Sequence, residues 1–167
     1  MRAWIEQSLA NREEGTEMPF ATILRDGDKV VGSSRYMNIE PRHRRLEIGY
    51  TWISPRWQRS AVNTEAKLLM MRHAFDTLGA LRVEFKTDSL NDRSRAALAG
   101  IGALEEGTMR NHMITYSGRR RHSVYFSVIE EDWPRVRQGL EGRLARHARV
   151  SRDAQAADDQ TSTPASS

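Results

Sequence analysis

The sequence predicts an α/β chain, and three observations carry that prediction. Two β-rich runs flank Asp26-Gly27-Asp28, an apolar repeat at intervals of three and four covers residues 63–78 between two strand-like runs, and a second helix, opened by Asn91 and stopped by Gly102, precedes a further strand-like run. The succession reads βαβαβ.

Residues 2–12, RAWIEQSLANR, place Trp4, Ile5 and Leu9 at helical spacing, which predicts a short amphipathic helix with a packing role. FATILRDGDKVVGSSRYMNI then reads as a hairpin, with Gly27 supplying the positive φ that a tight turn between strands requires. After a turn rich in Pro and Arg, LEIGYTWIS alternates. Leu46, Ile48, Tyr50 and Trp52 fall on one face, and Glu47, Gly49, Thr51 and Ile53 on the other, so a carboxylate sits inside a strongly β-forming run. Pro55 breaks this strand. In the helix that follows, Ala66, Leu69, Met70, Ala74 and Leu78 form the apolar stripe and Gly79 is the stop. LRVEFKT alternates as a strand, DSLNDRSRAALAGIG offers Asn91 as N-cap and Gly102 as C-cap, and HSVYFSVI is again strand-like. A last helix over 130–144 opens on the acidic turn EEDWP and becomes Arg-rich, complementing the helix dipole at both ends. The predicted organisation is one domain over 1–145 and a polar tail over 146–167. From residue 151 onward almost no apolar side chain is available for burial, so that segment is expected to be disordered.

Composition removes several function classes. Cysteine is absent, which excludes disulfides, thiolate metal sites and a cysteine nucleophile. The five His residues show neither HxxxH nor His-x-Glu spacing, and no metal is expected. No run approaches the roughly 18 apolar residues that span a bilayer, and MRAWIEQSLA lacks the apolar core of a secretory signal; a cytoplasmic protein without membrane contact is expected. The net charge of +4 suits either nucleic acid or an anionic cofactor. The basic tracts, GRRRH at 118–122 and six Arg against one Glu between 135 and 152, lack interleaved aromatics. Base contact with nucleic acid is therefore not expected, while ribosome association stays open.

The stretch YTWISPRWQRSAVNTEAKLL is a strand-to-helix corner. Unpaired amides and the positive end of the helix dipole make such a corner a natural anion cradle. Three stretches, LEIGYTWISPRWQ, NTEAKLLMMRHAFDTLGALRVEFKTDSLNDRSRAALAGIGALEEGTMRNHM and VYFSVIEEDWP, resemble the GNAT superfamily of acyl-CoA-dependent N-acetyltransferases. Within it they look most like the branch that acetylates N-termini of ribosomal proteins, the RimJ/RimL type. The resemblance covers about residues 20 to 135. Its most specific part is Thr64-Glu65-Ala66 joined at family spacing to Asn91-x-x-Ser94 and ending in IGALEEGTMR. It implies a mixed, mostly antiparallel central sheet flanked by helices. It also implies acetyl-CoA as co-substrate and a primary amine, a protein N-terminus or a small amine, as acceptor. Family members carry a strand and a helix ahead of the segment matching residues 4–12, so a fold short of those two elements is expected.

The resemblance also assigns roles. The family corner is Gln or Arg, two residues, Gly, one residue, then Gly or Ala, and its amides bind pyrophosphate. Here it reads Gln58, Arg59, Ser60, Ala61, Val62, Asn63, so Gln58 matches and both small positions differ. Weakened or altered phosphate binding is expected, with Asn63 able to cap the helix and Arg56 or Arg59 able to reach phosphate. Glu47, flanked by Leu46 and Ile48, stands where relatives carry the carboxylate that removes the amine proton through water; a pairing with Arg42, Arg44 or Arg45 is the alternative. Ser94 stands where a hydroxyl protonates the departing thiolate, or serves local capping. Asn91 is the pantetheine contact or simply the N-cap, Arg95 a phosphate contact, and the backbone of Tyr50, Thr51 and Trp52 the oxyanion and pantetheine contact. Met70, Met71 and Met113 read as core, as do Trp52 and Trp57, and His112 could approach the amine. The competing reading is a degenerate CoA-binding or regulatory module without transfer.

Overall fold

The computed structural model describes residues 2–161, and side chains are described for 5–150, 152 and 153. The elements are α1 (Arg2–Glu13), β1 (Met18–Leu24), β2 (Lys29–Glu40), β3 (Arg45–Ile53), α2 (Ala61–Arg72, continued as a π-turn over His73–Thr77), β4 (Arg82–Asp88), α3 (Asp92–Gly100), β5 (Leu104–Ile114), β6 (Arg120–Ile129) and α4 (Trp133–Thr161). Six strands form one sheet in the order β1-β2-β3-β4-β6-β5, with β3 and β4 the parallel pair and every other pairing antiparallel. The mixed, mostly antiparallel sheet is as expected. Among the described residues no helix is long and apolar enough to cross a membrane.

The expected hairpin closes at Leu24 and Lys29, with Gly27 and Asp28 both left-handed. Alternation then sorts the central strands into two faces. Leu46 and Ile48 of β3, Val83 and Phe85 of β4, and Val124, Phe126 and Val128 of β6 are buried in one cluster with Leu68, Met71, Phe75 and Leu140. Helix α4 closes this side through Trp133, which stacks on Phe75 at 5.2 Å and donates its indole N–H to Asp76 at 2.7 Å. The opposite face is polar: Glu47, Glu84, Lys86, Tyr125 and Ser127 follow from the same two-residue period.

Several expectations are corrected. The β3 alternation holds only to Ile48. Ser33 pairs with Trp52 but Arg35 with Gly49, so Tyr50 and Thr51 of β3 together oppose Ser34 of β2, and the extra residue, Tyr50, is left-handed at φ 48°. This bulge inverts the parity beyond it, leaving Tyr50 and Trp52 exposed rather than aligned with Leu46 and Ile48. In α2 the buried residues are Lys67, Leu68, Met70 and Met71, whereas Leu69 and Leu78 of the expected stripe are exposed. Met70 and Met71 are core as expected. Met113 is exposed on β5, one of the two edge strands. That strand has no counterpart in the sequence reading: Glu105, Glu106, Gly107 and Asn111 carry no apolar alternation, and pairing with β6 forms it. In α1, Ser8 is buried while Ile5 and Leu9 are half exposed; Trp4's side chain lies outside the described residues. Finally, α4 runs through Thr161, so the segment from 146 expected as a disordered tail is helical there, its Ala, Arg and Gln content being compatible with helix; residues 162–167 lie outside the described residues.

Gly102 fixes the approach of α3 to α4. Its φ is 90°, and a Cβ there would lie 3.1 Å from Cγ2 of Val136. Gly102→Ala is expected to lower stability by about 1 to 3 kcal/mol. Urea unfolding checks this, and an unchanged midpoint would contradict it.

Candidate active site

Strands β3 and β4 pair only from Arg45 with Arg82 to Glu47 with Glu84, although β4 stays paired with β6 as far as Asp88 with Ser123. Beyond Glu47 the two parallel strands therefore separate, and the sheet opens at their carboxyl ends. Helix α2 follows β3 and α3 follows β4, so both helices begin at this opening, the place where open α/β sheets take ligands.

The corner before α2 is built by a 3-10 turn at Pro55–Trp57, extended backbone at Gln58, and Arg59 at φ 62°. Ser60, not Asn63, is the N-cap: its hydroxyl accepts from the Val62 amide at 3.3 Å and donates to the Trp57 carbonyl at 2.6 Å. Helix geometry leaves the Ala61 and Asn63 amides without intrahelical acceptors. Ala61 and Asn63 both lie inside regular helix, so the positive φ that glycine would favour falls on Arg59 instead. Asn63 Oδ1 is buried without a hydrogen-bond partner among the described residues. Free helix-start amides beside an unsatisfied acceptor fit a ligand that carries phosphate oxygens and amide N–H groups.

Across the opening, Asn91 caps α3, accepting from the Ser94 amide at 3.0 Å. Ser94 is half-buried, with no partner for its hydroxyl among the described residues. Gln58 spans the mouth: Nε2 donates to the Ile53 carbonyl at 2.9 Å, and Oε1 accepts from Arg93 at 2.8 Å. Arg93 is a residue that sequence reasoning missed. Arg95 donates to Glu105 at 3.3 Å, which turns it toward β5, and Arg56 lies over the Trp57 ring. Trp52 is exposed and Trp57 half-buried.

Glu47 is 3% exposed. Its carboxylate accepts from Asn38 Nδ2 at 2.9 Å and from Lys86 Nζ at 3.3 Å, so neither Arg42, Arg44 nor Arg45 is its partner. Arg45 instead pairs with Glu84, and Arg44 donates to the Gly79 carbonyl. On the same polar face, His112 contacts Ser123 at 3.0 Å and Tyr125 at 3.4 Å, and Lys86 lies 5.8 Å from the Tyr125 ring centre. A band of polar groups thus crosses the sheet from Asn38 to His112 beside the opening. A separate apolar groove of about 480 Å³ between β1 and α2, lined among others by Phe20, Ile23, Val62 and Leu69, takes only Val62 from the expected site residues.

The group least legible in the sequence is Lys67. It is buried, and its Nζ donates to Thr51 Oγ1 at 2.6 Å and to Ser34 Oγ at 3.4 Å. Burial pushes the ammonium down to about 7 from its ordinary 10.5. A signal existed: Lys67 occupies the position four before Met71 and seven before Ala74, inside the buried stripe. The pH dependence of stability follows. Between about 7 and 10 the unfolded chain holds the lysine proton that the folded chain has released, so stability should rise with pH across that window. Above it Tyr36 acts oppositely, because burial raises its hydroxyl and ionisation favours the unfolded chain. On the acid side, hydrogen bonds from Arg119 and Arg82 hold Asp88 and Glu106 low, and that contribution is lost as pH falls through the carboxylate range. Thermal unfolding against pH checks the alkaline rise; a flat midpoint over that window would contradict the buried cation.

The chain belongs to the GNAT family: residues 1–103 match the family's acetyltransferase (GNAT) domain. YdaF of Bacillus subtilis, by its name a candidate ribosomal N-acetyltransferase, is 32% identical over 68% of this chain. A crystal structure of a candidate acetyltransferase from T. thermophilus shares 39% identity and a TM-score of 0.76 over 86% of this chain and 73% of its own. That of a GCN5-related N-acetyltransferase from Brucella melitensis shares 34% and 0.77 over 86% and 65%. The chain spans 60% of YdaF and 66% of the Bacillus licheniformis protein p20, two of the curated relatives it matches.

Proposed function

We propose that this chain transfers an acetyl group from acetyl-CoA to a primary amine, a protein N-terminus or a small amine, by direct attack on the thioester. The observation that carries the reading is the opening of the sheet after Glu47, with the starts of α2 and α3 at one end and a buried carboxylate beside it. YdaF's name favours a ribosomal protein as acceptor.

The bound cofactor supplies an acyl carbon open to nucleophiles. Everything else falls to the chain. The amides of Ala61 and Asn63, with Gln58, Arg59, Ser60 and the capped Val62 shaping the corner, hold the pyrophosphate. The Asn91 side chain and the backbone of Tyr50, Thr51 and Trp52 hold the pantetheine arm and steady negative charge on the acyl oxygen. Glu47, its buried charge balanced by Lys86, takes the amine proton through water, since a protonated amine has no lone pair. The Ser94 hydroxyl gives a proton to the departing sulfur. Arg95, bound to Glu105, would reach phosphate only by releasing that partner. The reading of a binder without transfer rested on Ala61 and Asn63. Regular helix at both positions removes the conformational part of that objection.

Glu47→Gln is expected to lower turnover with an amine acceptor about 100-fold or more, with acetyl-CoA affinity changed less than about twofold. Steady-state kinetics and calorimetry on the same preparation check this. Wild-type turnover in the variant would remove Glu47 as the base.

A further inference from the structure

We propose that Lys67 is a positioning residue for the acetyl-CoA site. Its ammonium orders a hydrogen-bond chain that clamps the β3 bulge from both flanks, and acetyl-CoA binding depends on Lys67 keeping its proton. The proposal rests on the acetyl-CoA reading above and extends it to a residue outside the cofactor and acceptor contacts.

The geometry begins with the bulge. Tyr50 adopts φ 48°, a conformation that a bulky residue holds only when its surroundings enforce it. Its two neighbours are tied to one polar cluster. Ser34 donates to the Gly49 carbonyl at 3.3 Å, Ser34 and Thr51 hydroxyls lie 2.7 Å apart, and Lys67 donates to both. When all four contacts are hydrogen bonds at once, proton counting leaves one order. Each hydroxyl has one O–H and two lone pairs. With the Ser34 proton on Gly49, Thr51 must donate to Ser34, and both oxygens accept from the ammonium. The chain therefore runs from Lys67 through Thr51 and Ser34 to the Gly49 carbonyl, fixing the residues on either side of Tyr50. A neutral amine carries a lone pair and can accept from Thr51, so the order ceases to be unique once the proton leaves. Thr51 is itself exposed, which sets this buried cation one hydroxyl away from the opening.

The surroundings provide no other reason for a charge. No carboxylate pairs with Lys67 among the described residues. Of the elements packed against it, β4 presents the Phe85 ring at 5.7 Å. On β2, Tyr36 has its hydroxyl committed to the Met70 carbonyl, while Arg35 faces the opposite side, where Glu17 holds it and Tyr50 stacks on it. Glu47 of β3 also faces that side, bound by Asn38 and Lys86, and Glu65 of α2 is exposed. A buried, carboxylate-free lysine opposes folding, and an apolar side chain of similar length would suit the core better. Burial places its titration near neutrality, so the clamp responds to pH there.

Calorimetric titration of wild type and Lys67→Met with acetyl-CoA from about pH 6 to 9, with ligand-free unfolding of both, tests this. Wild-type Kd should weaken about tenfold across the range, as expected from loss of a charged hydrogen bond. Lys67→Met should bind about tenfold more weakly at the acid end, show no such pH step, and unfold at a temperature equal to or above wild type. Titration of the cofactor's own phosphates is common to both proteins and cancels between them. Equal Kd values with the same pH profile would overturn the proposal. Should Lys67→Met not fold, Thr51→Val removes the nearest acceptor and must show the same weakening; wild-type affinity that is flat with pH overturns the proposal in either case. Wild type without acetyl-CoA binding at any pH would overturn both the proposal and the reading beneath it.

Discussion

The structure turns on a single constraint: β3 keeps its pairing with β2 to Ile53 but cannot stay beside β4 beyond Glu47. Up to that residue it is hydrogen-bonded to β4, and past it the bulge at Tyr50 twists the strand away while β4 continues beside β6. A bulge is a modest local irregularity, yet this one, in the antiparallel β2–β3 pair, lies where β3 parts from its parallel neighbour β4 and a wedge opens at which backbone groups and helix starts meet. The corner at Arg59 and the cap at Asn91 are placed by where β3 and β4 end. So is the access to Glu47, the last β3 residue paired with β4.

The two faces of the sheet divide the labour. One buries Val83, Phe85, Val124, Phe126 and Val128 against α2, α3 and α4 and holds the strands rigid. The other carries polar groups that satisfy one another: Arg82 bonds both Glu84 and Glu106, Ser127 donates to Glu106, and Lys86 joins Glu47. Such a surface keeps a carboxylate nearly water-free and still charge-balanced. Lys67 is the charged exception on the apolar side. Its hydrogen bonds end on the strand that forms the wedge.

Much of this was legible in the sequence. The hairpin was marked by Asp26-Gly27-Asp28, α3 by Asn91 and Gly102, and the corner by Pro55 and the polar run after it, because turn and cap chemistry is local. Glu47 stood out as a carboxylate within a β-forming run, and the structure buries it there. The bulge was not legible: Tyr50 and Trp52 continue a perfect alternation, and only pairing with β2 reveals the extra residue. For the same reason β5 was invisible, since an edge strand paired on one side needs no apolar period. The partners of Glu47 came from Asn38 and Lys86, distant in sequence, rather than from the nearby arginines. Lys67 was hidden because the apolar stripe of α2 was phased on Leu69 and Leu78, which face outward.

The account's central claim is that the wedge between β3 and β4 receives acetyl-CoA. Titrating the 15N-labelled chain with acetyl-CoA and following backbone amide resonances tests it most directly. The account predicts saturable shifts concentrated at residues 49–52, 61–63 and 91–94, three segments distant in sequence that meet only at this opening. Saturable shifts confined to another surface, such as the groove between β1 and α2, or unchanged spectra at saturating cofactor would contradict it.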